Sequence, residues 1–84
     1  MNAYELYDAV FDSARAEWLP ESREEQIEDV ITVAYAVFNL NVSTDIATQI
    51  VDARDALSVA NDKNGEWVNN LWHCVEKPLS EIEL

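Results

Sequence analysis

The chain of 84 residues carries 17 acidic and five basic side chains, a net charge of −12 at neutral pH. This charge excludes a direct nucleic-acid binder, because affinity for phosphate depends on Lys and Arg. A disordered acidic chain is excluded as well, because 49% of the residues are hydrophobic and three are Trp. We expect residues 1–84 to form a single domain, in which one Cys cannot make an internal disulfide.

The first predicted helix covers about residues 3 to 18. Apolar side chains recur there at steps of three and four residues, which places them on one helical stripe. They are Tyr7, Val10, Phe11, Ala14 and Trp18. Asn2 is suited to cap this helix, and Pro20 disfavours helical geometry at the residue before it.

The second predicted helix begins with Ser22, which forms an S-x-x-E capping box with Glu25. An apolar stripe follows, made of Ile27, Val30, Ile31, Ala34 and Phe38. Val33, Tyr35 and Val37 make the second half apolar almost all round, as in a helix that is central or faces another subunit. The β-branched run is also compatible with a strand, but the capping box and the stripe together favour a helix.

Two further helices are predicted after a turn at residues 39–42. Ser43 or Thr44 caps the third, whose stripe is Ile46, Ile50, Ala53 and Leu57, widened by Ala47 and Val51. Residues 61–65, Asn-Asp-Lys-Asn-Gly, are the strongest turn signal. The fourth helix carries Trp67, Val68, Leu71, Trp72 and Val75, and we expect it to stop at Lys77-Pro78 before a short acidic tail, residues 79–84. The sequence therefore predicts an all-α fold, a small bundle of about four helices.

No pattern for catalysis or metal binding is evident in the sequence. In an EF-hand alignment with Gly65 at position 6, Ala60 and Leu71 occupy positions that need acidic ligands. His73 and Cys74 are the only His and the only Cys, too few for a zinc site or for an oriented nucleophile. We expect a protein that is not an enzyme, with no catalytic residue, no metal and no cofactor.

The charge is separated from an uncharged centre. Residues 30–44 contain no charged side chain, whereas residues 1–29 carry a net −7 and residues 45–84 a net −5. The uncharged centre predicts a homodimer through the second helix, because so small a domain cannot bury all of its apolar side chains.

Acidic side chains recur about once per helical turn, ~6 Å apart, which approximates the spacing of charge along a duplex backbone. They could serve solubility alone, but a net charge of about 2 to 8 in magnitude is enough for that. The predicted partner-binding residues are Glu5, Asp8, Asp12, Glu24, Glu25, Glu28, Asp52 and Asp55.

Residues 7–14 read Tyr-Asp-Ala-Val-Phe-Asp-Ser-Ala. This Y-x-x-V-F-D-x-A pattern resembles the N-terminal helix of the bacteriophage Ocr family, and residues 27–34 are loosely similar to that family's second helix. Members of the family are small, acidic, largely helical dimers that mimic the charge of B-form DNA and block restriction enzymes, and the resemblance implies the same activity here. The present chain is shorter and less acidic, and it lacks the family's C-terminal run of Glu.

Together these features predict an acidic mimic of DNA or RNA that occupies the basic cleft of a nucleic-acid-binding protein or complex, as anti-restriction and anti-CRISPR proteins do. The alternative is a small helical interaction module, such as an antitoxin, adaptor or regulator, that binds through an apolar surface. Its candidate residues are Val33, Tyr35, Val37, Trp67 and Trp72.

We expect no membrane partner, because the longest apolar stretch is 11 residues, 30–40, and about 20 are needed to span a bilayer. The first five residues include no basic side chain, so a signal peptide is not expected. The predicted location is the cytoplasm, that of the host if a phage encodes the protein.

Overall fold

The computed structural model describes residues 1–11 and 22–84, and over these ranges its regular structure is entirely helical. The elements are α1 (Ala3–Val10), α2 (Arg23–Phe38), α3 (Thr44–Asn64), α4 (Trp67–Leu71), a π-helical segment (Trp72–Glu76) and α5 (Lys77–Ser80). The last three are contiguous and form one C-terminal helix. The predicted all-α bundle of about four helices is confirmed, and within the described ranges no helix is long and apolar enough to cross a membrane.

The bundle is organised around α3, against which all the other helices pack. The stripe predicted for α3 is confirmed, because Ala47, Ile50, Val51, Ala53 and Leu57 are buried and Ile46 is half-buried against the core. Buried side chains from the other helices complete a single core with them: Ala3, Leu6, Tyr7, Val10, Val30, Val33, Ala34, Val75 and Leu79. α1 also packs against α2 and α5, so the two ends of the chain meet on one side of α3.

Three helices begin at caps that the sequence predicts. In each, a side-chain oxygen accepts a hydrogen bond from the backbone N–H three residues later, at 3.0 to 3.2 Å. The caps are Asn2 for α1, Ser22 for α2 and Ser43 for α3. α2 ends at Asn39, which adopts the left-handed conformation (φ 55°) that Asn tolerates well.

α1 ends sooner than the predicted residue 18. Phe11 leaves helical geometry (φ −114°, ψ 30°) while its N–H still donates to the Tyr7 carbonyl at 2.8 Å. The remaining part of the predicted helix, residues 12–18, lies outside the described residues.

The turn predicted for residues 61–65 is wrong at its first four positions, because α3 continues through Asn64. Gly65 alone takes the left-handed conformation (φ 69°). The side-chain amide of Asn70 explains the extra helical turn: its nitrogen donates to Oδ1 of Asn61 at 2.8 Å and to Oδ1 of Asn64 at 2.7 Å. These bonds satisfy a buried polar side chain and hold the last turn of α3 against α4.

Because Asn70 points inward, most of the apolar stripe predicted for the fourth helix does not face the core. Residues two positions away lie about 200° round a helix, so Val68 and Trp72 point away from α3. Val68 is 80% exposed and Trp72 46%, while Trp67, in the first turn of α4, is 57% exposed. Of the predicted stripe only Val75 is buried and Leu71 half-buried.

Pro78 does not stop the C-terminal helix, contrary to the prediction. In the π segment the N–H of Lys77 bonds to the carbonyl of Trp72, five residues earlier. An α-helical path resumes at Lys77, and Pro78 then lies in its first turn, where a missing N–H costs little.

The last residues are not a free tail, because they pair with the N-terminus. The N–H of Ala3 donates to the Ile82 carbonyl, and the N–H of Leu84 donates to the Met1 carbonyl, both at 2.9 Å. Leu79 is buried in the core just before this pairing. These hydrogen bonds therefore hold the N-terminal end of α1 against the last residues of the chain.

Candidate functional site

The carboxylates predicted to bind a partner lie on the surface. Seven of the eight are described, and all seven are exposed. The eighth, Asp12, lies outside the described residues. We use "acidic surface" for the seven: Glu5 and Asp8 on α1, Glu24, Glu25 and Glu28 on α2, and Asp52 and Asp55 on α3.

Arg23 divides this surface into a paired part and an unpaired part. Its Nη1 donates to Oδ2 of Asp55 at 2.9 Å, and its Nη2 donates to Oδ1 of Asp52. The hydrogen bond to Asp52 is the largest cause of a raised pKa of the Arg23 guanidinium, with the charge of Asp55 adding to it. Asp52 and Asp55 are one turn apart, so a single forked guanidinium reaches both. Their negative charge is thus partly compensated.

The other five carboxylates of the acidic surface make no ion pair with any described residue. They occupy α1 and α2, two helices that pack against each other. Glu24 and Glu25 lie in the first turn of α2, where the helix dipole favours negative charge. Within the acidic surface, the carboxylates that lack an ion pair to a described residue are therefore those of α1 and α2.

A groove of about 540 Å³ runs between α1, α3 and α4. Four aromatic side chains line it: Tyr4, Tyr7, Phe11 and Trp67. Tyr4 and Tyr7 are stacked with ring centroids 6.3 Å apart, and Tyr7 meets Phe11 at 5.2 Å in a tilted arrangement. The rings of Tyr4, Tyr7 and Phe11 therefore form one continuous aromatic surface along the groove.

Charged side chains of both signs line the same groove. The guanidinium carbon of Arg54 lies 4.6 Å from the centroid of the Phe11 ring, a cation–π contact. Burial raises the pKa of the Tyr7 phenol, and the charge and hydrogen bond of Arg54 act in the opposite direction. Burial also raises the pKa of Tyr4, with smaller contributions of the same sign from Glu76 and Asp8. Arg54 thus sits against Tyr7 and Phe11, whereas Tyr4 faces negative charge.

The apolar surface of the alternative function is not one surface. Val33 is buried, so including it was wrong. Tyr35 and Val37 are 62% and 59% exposed, but they lie at the end of α2 that leads into α3. Trp67 follows the opposite end of α3, whose 21 residues span about 31 Å. The exposed apolar side chains therefore form two patches at opposite ends of the bundle.

The patch at the end of α2 carries no charge and encloses a shallow groove of about 340 Å³. The residues that line this groove are Ile31, Thr32, Tyr35, Ala36, Leu40, Asn41 and Val42. We call it the uncharged patch. It coincides with the stretch of sequence that lacks Asp, Glu, Lys and Arg.

The described residues gather no group of three or more His, Cys, Asp or Glu side chains that could hold a metal ion. His73 is exposed and Cys74 is a half-buried free thiol. Comparisons of the chain with protein-family models, with curated proteins and with solved structures give no match. The resemblance of residues 7–14 to the Ocr family stays a prediction.

Proposed function

We propose that the protein is an acidic mimic of nucleic acid that occupies the basic DNA- or RNA-binding cleft of another protein or complex. The observation that carries this proposal is the set of exposed carboxylates without ion-pair partners on the described parts of α1 and α2. In line with the resemblance to the Ocr family, the target is a host defence complex, blocked as restriction or CRISPR enzymes are by acidic phage inhibitors.

Occupation of the cleft requires no chemistry from the inhibitor. Carboxylates at one-turn intervals on α2 offer Lys and Arg side chains a series of negative partners, as successive phosphates do. Opposite potentials accelerate the encounter, and the affinity falls as salt screens the charges. Arg23 compensates Asp52 and Asp55, whereas Glu24, Glu25 and Glu28 make no ion pair with a described residue. These three therefore contribute more of the attraction than the two Asp residues do.

Capture of the target from a bacterial lysate at low salt, followed by elution with a salt gradient, tests the proposal. The captured protein should be basic at its binding site, should elute at moderate salt, and should be displaced by duplex DNA or by RNA. A stable ternary complex of target, nucleic acid and inhibitor at one shared site would contradict the proposal.

A charge-matched pair of variants makes the test specific. The first combines Glu24→Gln, Glu25→Gln and Glu28→Gln, and the second combines Asp45→Asn, Asp62→Asn and Glu81→Gln. All six side chains are exposed, and each variant loses three negative charges. The first variant should bind the target orders of magnitude more weakly and with less dependence on salt. Equal affinity of the two variants would mean that the α2 carboxylates are not the binding surface.

A homodimer is the second part of the proposal. Two copies with a net charge of −12 repel each other least through a face that carries no charge. The uncharged patch is such a face, and Tyr35 and Ala36 are exposed on it. Pairing through this patch leaves the α1 and α2 carboxylates of both copies available to the target.

The alternative function, an interaction module that binds through apolar contacts, is favoured by the exposure of Trp67, Val68 and Trp72. Exposed aromatic side chains of this size are enriched at the centres of protein interfaces. Salt discriminates between the two functions, because an apolar complex keeps its affinity at high ionic strength and a charge mimic does not. If the protein is such an interaction module, Trp67→Ala should weaken the captured complex, whereas the variant with Glu24, Glu25 and Glu28 changed to Gln should bind as tightly as the parent.

A further inference from the structure

The groove between α1, α3 and α4 combines aromatic faces with negative charge at one side. Trp67 lines the groove and is 57% exposed, so part of this residue is accessible to an incoming group. Asp8 is exposed and lines the groove as well. A carboxylate beside open aromatic rings is a favourable environment for a cation.

The ionisable groups that face the groove define where a cation would bind. Arg54 is held by Phe11 and Tyr7, and its positive charge repels a second cation from that part of the groove. Asp8 and Glu76 lie close enough to Tyr4 for their negative charge to affect its phenol. The Tyr4 side of the groove, away from Arg54, is therefore where a cation is favoured.

Arginine fits these surroundings better than the other candidates. Its planar guanidinium stacks on aromatic rings, forms two hydrogen bonds with one carboxylate, and is less strongly hydrated than the ammonium group of lysine. An anion is disfavoured by the net charge of −12. A purely apolar segment would leave the charges of Asp8 and Arg54 without water or partners, which is costly.

We infer that this groove receives an arginine side chain of the protein that the acidic surface binds, with Asp8 and Trp67 as its principal contacts. The inference rests on the proposed function, because the arginine is supplied by the basic cleft of the target. It adds a specific contact to a surface that otherwise recognises charge alone. Asp8 is the residue that belongs to both the acidic surface and the groove.

Binding of small probes to the full chain tests the groove without the target. The probes are the amides of N-acetyl-arginine, N-acetyl-lysine and N-acetyl-citrulline, followed by ¹H–¹⁵N NMR at the indole N–H of Trp67. That resonance is assigned with Trp67→Phe. The arginine probe should shift it saturably, the lysine probe should bind at least several-fold more weakly, and citrulline, which has the shape of arginine without its charge, should not saturate.

Two variants with the same loss of charge identify the contact. Asp8→Asn should weaken the arginine probe several-fold, whereas Asp45→Asn, in the first turn of α3 and away from the groove, should leave it unchanged. Trp67→Ala, followed at the backbone amides of Tyr4 and Leu71, should abolish saturation. Equal shifts from all three probes, equal effects of the two Asp variants, or no saturable shift would overturn the inference.

The arginine-binding experiment and the target-binding experiment can fail independently of each other. If the triple α2 variant loses the target but the arginine probe does not bind, the groove inference fails and the proposed function stands. If the arginine probe binds with the expected pattern but the triple variant keeps its full affinity for the target, the proposed function fails. The groove would then remain a site for arginine.

Discussion

Arg23 on α2 donates through Nη1 to Oδ2 of Asp55 on α3 at 2.9 Å, an ion pair that joins residues 32 positions apart in sequence. Together with the bond from Nη2 to Asp52, it fastens the N-terminal end of α2 to the middle of α3. In a chain with so few basic residues, this guanidinium offsets repulsion between two helices that both carry exposed carboxylates.

We expect Arg23→Gln to lower the midpoint of thermal unfolding. The change leaves Asp52 and Asp55 to repel each other and makes the net charge −13 instead of −12. The loss should be largest at low ionic strength and should shrink as NaCl is added, because these exposed charges are screened. Lys63→Gln is the control, since it removes the same charge from a residue that makes no ion pair in the described chain. Equal losses for both variants would assign the effect to net charge alone.

Gly65→Ala should cost about 1–2 kcal/mol in the free energy of unfolding, the strain of a left-handed conformation in a residue with a Cβ. Gly65 has φ 69°, and a Cβ added there would meet no atom within 4 Å, so no clash contributes. Gly65→Asn should cost less, because Asn tolerates this conformation. Urea unfolding measures both values. An equal loss from Ala and Asn would contradict the assignment to backbone strain.

Ile50→Ala should cost about 2–5 kcal/mol, because it removes a fully buried side chain from the centre of the core. Val59→Ala on the same helix is the control. Val59 is 66% exposed, so its truncation should change the free energy of unfolding by no more than about 0.5 kcal/mol. Similar losses at the two positions would mean that α3 does not present its predicted stripe to the core.

Features that depend on neighbouring residues were predictable from the sequence. The caps Asn2, Ser22 and Ser43 and the buried stripe of α3 follow from hydrogen bonds within three residues and from helical periodicity. The exposure of the described carboxylates on α1 and α2 was predictable for the same reason, because the opposite faces carry the apolar stripes.

Features that depend on distant contacts were not predictable in the same way. The partner of Arg23 on α3 is 29 to 32 residues away, so no local spacing reveals it. Asn70 is buried because Asn61 and Asn64 accept its amide hydrogens, and this turns Val68 and Trp72 outward against their apolar character. The aromatic groove likewise requires residues of three helices to meet. Its only sequence signal is the spacing of Tyr4, Tyr7 and Phe11 at steps of three and four residues.

Stability should fall as pH rises above about 10, because burial holds the pKa of Tyr7 above its ordinary value of 10.0. Below the ordinary pKa, Tyr7 is protonated in both the folded and the unfolded chain, and its contribution to stability is fully present. As pH rises towards the folded-state pKa, the unfolded chain ionises first and the stabilisation is lost, at no more than ~1.4 kcal/mol per pH unit.

Tyr7→Phe removes this titration, so the decline between pH 9 and 11 should be shallower in this variant. Urea unfolding across that range measures the effect, with Tyr35→Phe as the control because Tyr35 is exposed. Parallel declines in the parent and in Tyr7→Phe would show that another group causes the alkaline loss.

Tyr35→Asp should convert the proposed homodimer to monomer. Tyr35 is 62% exposed and lines the uncharged patch, and a carboxylate there would place two like charges in the interface and remove apolar contact. Val59→Asp is the matched control, because it adds the same charge at an apolar residue that is 66% exposed on α3.

Sedimentation at micromolar concentration should give about twice 9.6 kDa for the parent and the control, and 9.6 kDa for Tyr35→Asp. Added NaCl should strengthen the dimer, because it screens repulsion between two chains of net charge −12 without weakening apolar contacts. A parent chain that sediments as a monomer, or a Tyr35→Asp variant that remains dimeric, would overturn pairing through this face.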